Sequence, residues 1–161
     1  MTMQTTMNSA YPIHICDANI EDIPALVGLL NMLFSIEQDF SPNKLRQEAG
    51  LRLIIENPHQ AIIKVARTQG GLVIGMVSAQ LVISTSQGSN SAWVEDMVVS
   101  EQYRAQGLGR QLLDAALQWA KDKGATRAQL LVDLDNEPAI GYYEHLGWKT
   151  SRMGVRRLLL E

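Results

Sequence analysis

The sequence is poor in cysteine and in long apolar runs. Cys16 is the single cysteine among 161 residues, so an intrachain disulfide is excluded. No apolar stretch approaches the roughly 20 residues that a membrane-spanning helix requires. Residues 1–10 contain neither a basic residue nor an apolar core, so we expect a flexible tail there and not a signal peptide. These absences predict a cytoplasmic protein without a membrane partner.

The chain also lacks an excess of positive charge. Fourteen Lys and Arg residues stand against seventeen Asp and Glu residues, which gives a net charge of −3. This balance provides no basic field for nucleic acid, so no nucleic-acid partner is expected. His14, His59 and His145 are scattered, and their spacing predicts no metal site. A length of 161 residues is typical of one domain, which we expect to span residues 11–161.

Segment 95–110 is the most informative part of the chain. It predicts an apolar strand, a short turn and an R-x-x-G-x-G loop that opens into a helix. Glycines let the backbone approach an anion, and the first N–H groups of a helix point at it, so the loop predicts a phosphate site. Arg110 and Gln111 exclude a Walker loop, and Leu112 excludes a dinucleotide fingerprint. From this loop alone, a plain glycine-rich turn remains an equal alternative.

The residues after the loop predict a helix with one buried face. Apolar side chains recur there at helical spacing: Leu108, Leu112, Leu113, Ala116, Leu117 and Ala120. Gly124 ends this helix, and residues 128–132 are typical of a strand. Such a strand–helix–strand crossover pairs its two strands in parallel. The loop is therefore expected at the carboxyl end of a strand, where open α/β sheets bind ligands.

Two segments of the chain carry a family resemblance. Residues 104–109 are Arg-Ala-Gln-Gly-Leu-Gly, and residues 136–148 begin at Asn136, contain Tyr143 and end in Gly147-Trp148. In this order they resemble the R/Q-x-x-G-x-G/A and N-x-x-A-x-x-x-Y-x-x-x-G-F/W signatures of the GCN5-related N-acetyltransferases, the GNAT superfamily. The family usually has glycine in place of Ala105. Because alanine disfavours a positive φ, we expect a loop conformation that avoids it there.

The resemblance implies an α/β fold of the GNAT type. Its sheet would be mixed and mostly antiparallel, with about six or seven strands and about four flanking helices. A V-shaped split is expected between the strand ending near Val99 and the strand beginning near Ala128. Asn19 and Asp22 predict the cap of the first helix, and a second helix is expected over 42–56. Besides 128–132, the sequence predicts strands over 13–16, 61–66, 72–83, 92–99, 149–150 and 155–160.

The resemblance also implies acetyl-CoA as the co-substrate. Its pyrophosphate would lie on the loop amides, and its pantetheine arm would pair with the backbone of the preceding strand. An N–H group of that strand would polarise the thioester carbonyl. The residues that the resemblance places at the cofactor are Met97, Val98, Val99, Arg104, Ala105, Gln106, Gly107, Leu108, Gly109, Arg110, Asn136 and Ala139.

Acetyl transfer to an amine requires two proton movements. An alkyl amine has a pKa near 10, so only about one molecule in a thousand is neutral at pH 7 and a base is needed. Glu95, on the strand beside the thioester, is the candidate base, and regular alternation places Asp96 on the opposite face. Tyr143 matches the family's tyrosine acid and would protonate the departing thiolate. The structural alternatives are that Glu95 only pairs with a neighbour on the sheet and that Tyr143 is a core aromatic whose hydroxyl is satisfied by backbone.

The predicted activity is direct transfer of an acetyl group to a primary amine of a small molecule or peptide, in a ternary complex. Glu37 and Asp39 follow the first helix and are candidate contacts for a second cationic group of the acceptor, with a solvated loop as the alternative. Residues 84–86 are candidates for the same cleft. A non-catalytic acyl-CoA sensor and an acyltransferase with another acyl chain or a hydroxyl acceptor stay open. The presence of both Glu95 and Tyr143 favours the enzyme. A homodimer is also left open.

Overall fold

The computed structural model describes residues 12–36 and 41–160. Its elements in chain order are β1 (Ile13–Asp17), α1 (Ile23–Phe34), α2 (Lys44–Ile55), β2 (Ala61–Thr68), β3 (Val73–Ser84), β4 (Ser89–Val99), α3 (Leu108–Asp122), β5 (Ala125–Leu130) and α4 (Glu137–His145). Short 3-10 turns precede α1 and follow β4. None of these helices is long and apolar enough to cross a membrane.

The chain forms two compact units. The first ends at Leu130 and contains every element from β1 to β5, and the second begins at Leu131 and contains α4. Each unit is described by itself below. The single domain over residues 11–161 stays a prediction, and the tail predicted for residues 1–10 lies outside the described residues.

The five strands form one sheet in the order β1-β2-β3-β4-β5. Three neighbouring pairs are antiparallel, and β4 pairs with β5 in parallel through the α3 crossover. The prediction of a mixed, mostly antiparallel sheet is therefore confirmed. The β4–β5 pairing ends where Val94 meets Leu130, while β4 continues to Val99. The sheet thus loses its parallel pair at the position where the split was expected.

The strand count and several strand boundaries differ from expectation. Five strands occur in the described residues, and no helix or strand follows His145 up to residue 160, so the predicted strands at 149–150 and 155–160 are wrong. An apolar run favours a strand, but a strand forms only against a partner edge, which the sequence pattern does not specify. The strand predicted over 128–132 runs instead from Ala125 to Leu130.

Helices cover both faces of the sheet. On one face, α1 and α2 pack on a core that includes Val65, Met76 and Val98. On the other face, α3 buries the apolar stripe that its spacing predicted, except for Leu117, which is half-buried. Gly75 allows this close approach, since a Cβ atom there would lie 3.1 Å from Cδ1 of Leu112 and 3.3 Å from the carbonyl oxygen of Val98.

A buried ion pair anchors the start of the first helix to the sheet. The predicted cap is present, because the Asn19 side chain accepts from Glu21 N–H and the Asp22 carboxylate accepts from Asn19 N–H, each at 2.9 Å. The same carboxylate binds both terminal nitrogens of Arg67 on β2, at 3.0 and 2.7 Å. Burial alone would raise the pKa of Asp22, but the hydrogen bonds from Arg67 and Asn19 and the Arg67 charge together lower it.

We expect Asp22→Asn to lower the free energy of unfolding at pH 7 by on the order of 3 kcal/mol, because it leaves the Arg67 charge without its buried partner. Since the pKa of Asp22 is lowered in the folded state, its contribution is complete above its unfolded value of about 4 and is lost as the pH falls through the folded pKa. Urea unfolding at pH 7 and pH 3 measures both effects.

The matched control is Asp17→Asn, which removes an ion pair with Lys64 at a site where Asp17 is 61% exposed. An exposed pair contributes about 0–1 kcal/mol, so this variant should change the unfolding free energy little. Equal losses in the two variants, or a loss in Asp22→Asn that is as large at pH 3 as at pH 7, would contradict the anchoring role.

Candidate functional site

The end of β4 is irregular just beyond its last contact with β5. Its register on β3 shifts between Glu95 and Val98, where Asp96 and Met97 lie opposite a single residue of β3. Asp96 has a φ of 54°, in the left-handed region. This is a β-bulge, and bulges re-aim side chains next to functional sites. The expectation of regular alternation at Asp96 is therefore wrong, and aspartate is among the residues that tolerate this conformation best.

Glu95 is held on the exposed side of β4. Its carboxylate accepts a hydrogen bond from the indole N–H of Trp93, two residues earlier on the same strand face. Its backbone carbonyl accepts a hydrogen bond of 3.1 Å from the hydroxyl of Ser78, which is 1% exposed. The strand therefore fixes the backbone of Glu95 while its carboxylate stays accessible from solvent.

The loop after β4 adopts a left-handed turn at two positions. Gly107 has φ 77° and ψ 9° and is the N-cap of α3, and Ala105 has a φ of 59°. The expectation that the loop avoids a positive φ at Ala105 is wrong. An L-residue in this region costs roughly 1–2 kcal/mol relative to its favoured conformations. The loop therefore requires the conformation that glycine adopts freely, although the chain has alanine there.

The amino terminus of α3 presents backbone donors at this loop. The first helical hydrogen bond runs from Gln111 N–H to the Gly107 carbonyl at 3.1 Å, so the amides of Leu108, Gly109 and Arg110 precede it. The cap residue is glycine, which provides no side-chain acceptor for them. Three successive helical N–H groups and the positive end of the helix dipole favour an anion at this place.

Two arginines near the loop, one before its glycines and one in the first turn of α3, have partners within the protein. Arg104 Nε donates to the carbonyl oxygen of Val99 at 2.9 Å, which ties the loop to the end of β4. Arg110 Nε lies 3.7 Å from a carboxylate oxygen of Asp114 one turn along α3, and both side chains are 67% exposed. Exposed pairs of this kind are weak, so the Arg110 charge remains available to an anion at the helix terminus.

Four further cofactor contacts were predicted in the first unit, at Met97, Val98, Val99 and Gln106. Val98 is buried in the core, and Met97 and Val99 are half-buried, so their backbone and not their side chains is suited to pair with a ligand. Gln106 is exposed in the loop. On the side of β4 that faces β5, the pairing between the two strands ends at Val94, before these residues.

The second segment of the resemblance lies in the second unit. Asn136 caps α4, since its side-chain oxygen accepts from Ala139 N–H at 3.2 Å. The Tyr143 ring makes edge contacts with Tyr142 and Trp148, at centroid distances of 5.6 and 6.0 Å. Both rings restrict Tyr143, which is half-buried. The acid role of Tyr143 and the cofactor contacts of Asn136 and Ala139 stay predictions.

The structure describes only some of the residues that were predicted to contact the acceptor. Glu37 and Asp39 lie outside the described residues. Residues 84–86 form the end of β3 and the start of its hairpin, where the hydroxyls of Ser84 and Ser86 lie 3.2 Å apart. Both accept hydrogen bonds from Arg127 of β5. Among the described residues, no group of three or more His, Cys, Asp or Glu side chains is arranged to hold a metal ion.

Sequence analysis missed two features of the site. The Trp93–Glu95 hydrogen bond had a detectable signal, because the two residues stand at i and i+2 on a predicted strand and so share a face. The bulge at Asp96 left almost no signal in the sequence. Its only trace in the sequence is the residue type, and an aspartate in a strand is compatible with many local structures.

We expect Ala105→Gly to raise the free energy of unfolding by about 0.5–1 kcal/mol. Glycine adopts the left-handed conformation of Ala105 without strain, which stabilises the folded state. Its greater freedom in the unfolded chain offsets part of this gain. The methyl group that is lost is exposed, so its removal costs little packing. Chemical denaturation measures the difference. Ala115→Gly, within α3, is the control and should lower the same free energy by roughly 1 kcal/mol. A loss of stability in both variants would contradict the loop conformation.

Comparison with known proteins identifies the family of this fold and loop. The model of the acetyltransferase (GNAT) family matches residues 29–148. Thialysine N-epsilon-acetyltransferase of Mus musculus is 30% identical over 141 residues, which cover 83% of this chain and 82% of the relative. A putative ribosomal protein bS18-alanine N-acetyltransferase of Bacillus subtilis is 25% identical over 80% of this chain and 78% of the relative.

A solved structure has the same fold. Aminoglycoside N-acetyltransferase AAC(6')-Iy in complex with CoA has a TM-score of 0.79 at 16% sequence identity, over 95% of this chain and 98% of that chain. At this identity the likeness shows the fold alone. The family match spans the segment from α1 to the end of the second signature, so the chain belongs to the GNAT family of acetyltransferases.

Proposed function

We propose that this protein transfers an acetyl group from acetyl-CoA to a primary amine of a small molecule or peptide, by direct attack in a ternary complex. The observation that carries the proposal is the arrangement at the end of β4. A strand that continues beyond its parallel partner leads, through a short turn and loop, into a glycine-capped helix whose first amides precede the first helical hydrogen bond. A CoA-type ligand requires both parts, because it joins a pyrophosphate to an extended, amide-containing arm.

The loop and the strand divide the binding of acetyl-CoA between them. The amides of residues 105–110 bind the pyrophosphate, and Gly107 supplies the left-handed turn that orients them. The backbone of Met97, Val98 and Val99 pairs with the pantetheine arm in the place of a neighbouring strand. In the second unit, Asn136 and Ala139 are the proposed further contacts. One N–H group near the bulge stabilises the negative charge that develops on the thioester oxygen.

Glu95 acts as the base in this proposal. The amine nitrogen attacks the thioester carbon, a C–N bond forms, and the proton released from the nitrogen passes to the Glu95 carboxylate directly or through water. Exposure of this carboxylate supports the role, since the proton must continue to solvent. The Trp93 N–H orients the carboxylate and leaves the rest of its acceptor capacity for the amine.

Tyr143 acts as the acid. The C–S bond breaks as the tetrahedral intermediate collapses, and the Tyr143 hydroxyl protonates the departing thiolate. A phenol with a pKa near 10 retains its proton at neutral pH and donates readily to a basic sulfur. The contacts of its ring with Tyr142 and Trp148 support this role, because they restrict the direction of the hydroxyl.

The amine acceptor is supported by the names of relatives. The mouse relative is named for the ε-amine of thialysine, and the Bacillus subtilis relative for the amine of an alanine in a ribosomal protein. Both are amines, but one is a small molecule and the other a polypeptide. We therefore propose a primary amine as the acceptor class for this chain.

Release of free CoA thiol from acetyl-CoA tests this function. We expect turnover with at least one member of a panel of diamines, amino acids, aminoglycosides and peptides with free amino termini. The same panel with hydroxyl in place of amine is the control and should give no turnover. Tight acetyl-CoA binding by calorimetry without turnover anywhere would overturn the enzyme and favour a sensor.

The pH–rate profile tests the two proton movements. With a general base removed, Glu95→Gln should lower turnover at pH 7 by about 10²–10⁴-fold. Its rate should then rise about tenfold per pH unit up to the amine pKa near 10, as the neutral amine becomes abundant without a base. Tyr143→Phe should lower turnover at every pH below this value while leaving the Kd for acetyl-CoA nearly unchanged.

Glu56→Gln is the matched control, since it removes an exposed carboxylate at the end of α2. It should leave the profile as in the unmodified protein. A Glu95→Gln variant whose profile is also unaltered would remove the base assignment. Unchanged turnover in Tyr143→Phe would remove the acid assignment without affecting that of Glu95.

A further inference from the structure

A groove lies on the same face of the sheet as Glu95, toward the β3–β4 hairpin. It has a volume of about 200 Å³ and is lined by Val82, Ile83, Ser84, Ser91, Trp93, Arg127 and Gln129. The strand register brings these side chains together, because Trp93 pairs with Gln129 and Ser91 pairs with Arg127. Trp93 stands two residues before Glu95, so the groove begins where the proposed base is located.

Within the first unit, the lengths of the elements leave this part of the face beyond the reach of α1. β3 has 12 residues and extends over about 40 Å, whereas α1, also with 12 residues, extends over only about 18 Å. The core under α1 and α2 includes Met76 and Val98, at the other end of the same strands. On this face the β3–β4 hairpin therefore presents Val82 to solvent, 55% exposed.

Arg127 is the only charged side chain among the residues that line the groove. Its guanidinium donates to the hydroxyls of Ser84 and Ser86, at 3.2 and 3.5 Å. Within residues 12–36 and 41–160, it forms no ion pair with a carboxylate. Its positive charge is therefore oriented by neutral hydroxyls and has no counter-charge in the groove. A carboxylate matches a guanidinium best, through two parallel hydrogen bonds.

The distance between the two charged groups limits the ligand. The Arg127 guanidinium is hydrogen-bonded to Ser84, which pairs with Ser89, six residues from Glu95 on β4 and about 20 Å along the strand. An extended peptide spans this distance in about six residues. Between the two charges lie the Trp93 ring and the exposed Val82 side chain, which favour apolar contacts.

We propose that this groove binds the acceptor as an extended peptide. Its free amino terminus lies at Glu95, the residues that follow pack on Trp93 and Val82, and a carboxylate at its sixth or seventh residue pairs with Arg127. This rests on the proposed function and deepens it, because it selects polypeptide amino termini that carry an acidic residue near the sixth position. Arg127 then determines specificity and takes no part in the chemical step.

Kinetics with matched peptides test the groove. The substrates are amidated octapeptides with a free amino terminus, apolar residues at positions 2 to 4, and Glu, Gln or Lys at both positions 6 and 7. We expect kcat/KM to be about fivefold higher for Glu than for Gln, the order of one exposed ion pair, and lowest for Lys. The difference should lie in KM and not in kcat. A hexapeptide with a free carboxyl terminus and neutral side chains shows whether a terminal carboxylate serves equally.

Variants of Arg127 separate recognition from a structural role. Arg127→Gln should reduce the Glu-to-Gln preference to about one, and Arg127→Glu should invert the preference toward Lys. A purely structural loss would lower all three peptides equally. Lys121→Gln removes the same charge from α3, which packs on the opposite face of the sheet, and should leave the preference unchanged.

Equal turnover of the Glu, Gln and Lys peptides, or a preference that Arg127→Glu does not move, would overturn the inference while the acetyltransferase assignment stands. Calorimetry with the same peptides tests whether the groove binds peptides even if the protein acetylates none of them. If no peptide or amine is acetylated but the Glu peptide binds more tightly than the Lys peptide and loses this preference in Arg127→Glu, the proposed function fails and the peptide groove stands.

Discussion

The hydrogen-bonded ladder between β4 and β5 ends at Val94, although β4 continues for five more residues to Val99. This early end of the parallel pair is the constraint on which the site depends. It leaves strand backbone at the carboxyl end of β4 that β5 does not occupy. Because the chain must pass from β4 through α3 to reach β5, the same end of β4 also leads into the amino terminus of α3. Strand backbone and helix amides are thus placed side by side by one topological feature.

The site concentrates backbone conformations that most residues avoid. Asp96 and Ala105 are the non-glycine residues with positive φ in the described part of the chain, and they lie on either side of the turn after β4. Such conformations persist only where the surrounding structure determines them. Here the β3–β4 ladder holds Asp96 from one side, and the packing of Leu112 against Gly75 holds the start of α3 from the other. The rigid sheet therefore sustains the strain of the loop.

Local patterns in the sequence were sufficient for the central elements. The apolar stripe of α3, the parallel crossover into β5 and the Asn19–Asp22 cap follow from spacing and short-range hydrogen bonding, and the structure has all of them. The strands expected at 149–150 and 155–160 depended on a partner edge, which spacing does not specify. The positive φ of Ala105 also could not be predicted from residue type, because alanine adopts it only when its neighbours require it.

The ion pair between Asp22 and Arg67 connects the stability of the fold to the shape of its open face. Arg67 lies near the end of β2 that pairs with Val73, the end of the sheet where β4 finishes. Anchoring the first turn of α1 there commits a helix of about 18 Å to that half of a much longer sheet. Within the first unit, α1 therefore covers the core half of that face and does not reach the hairpin half. The surface between Glu95 and Arg127 is thus a consequence of where the first helix is fixed and how short it is.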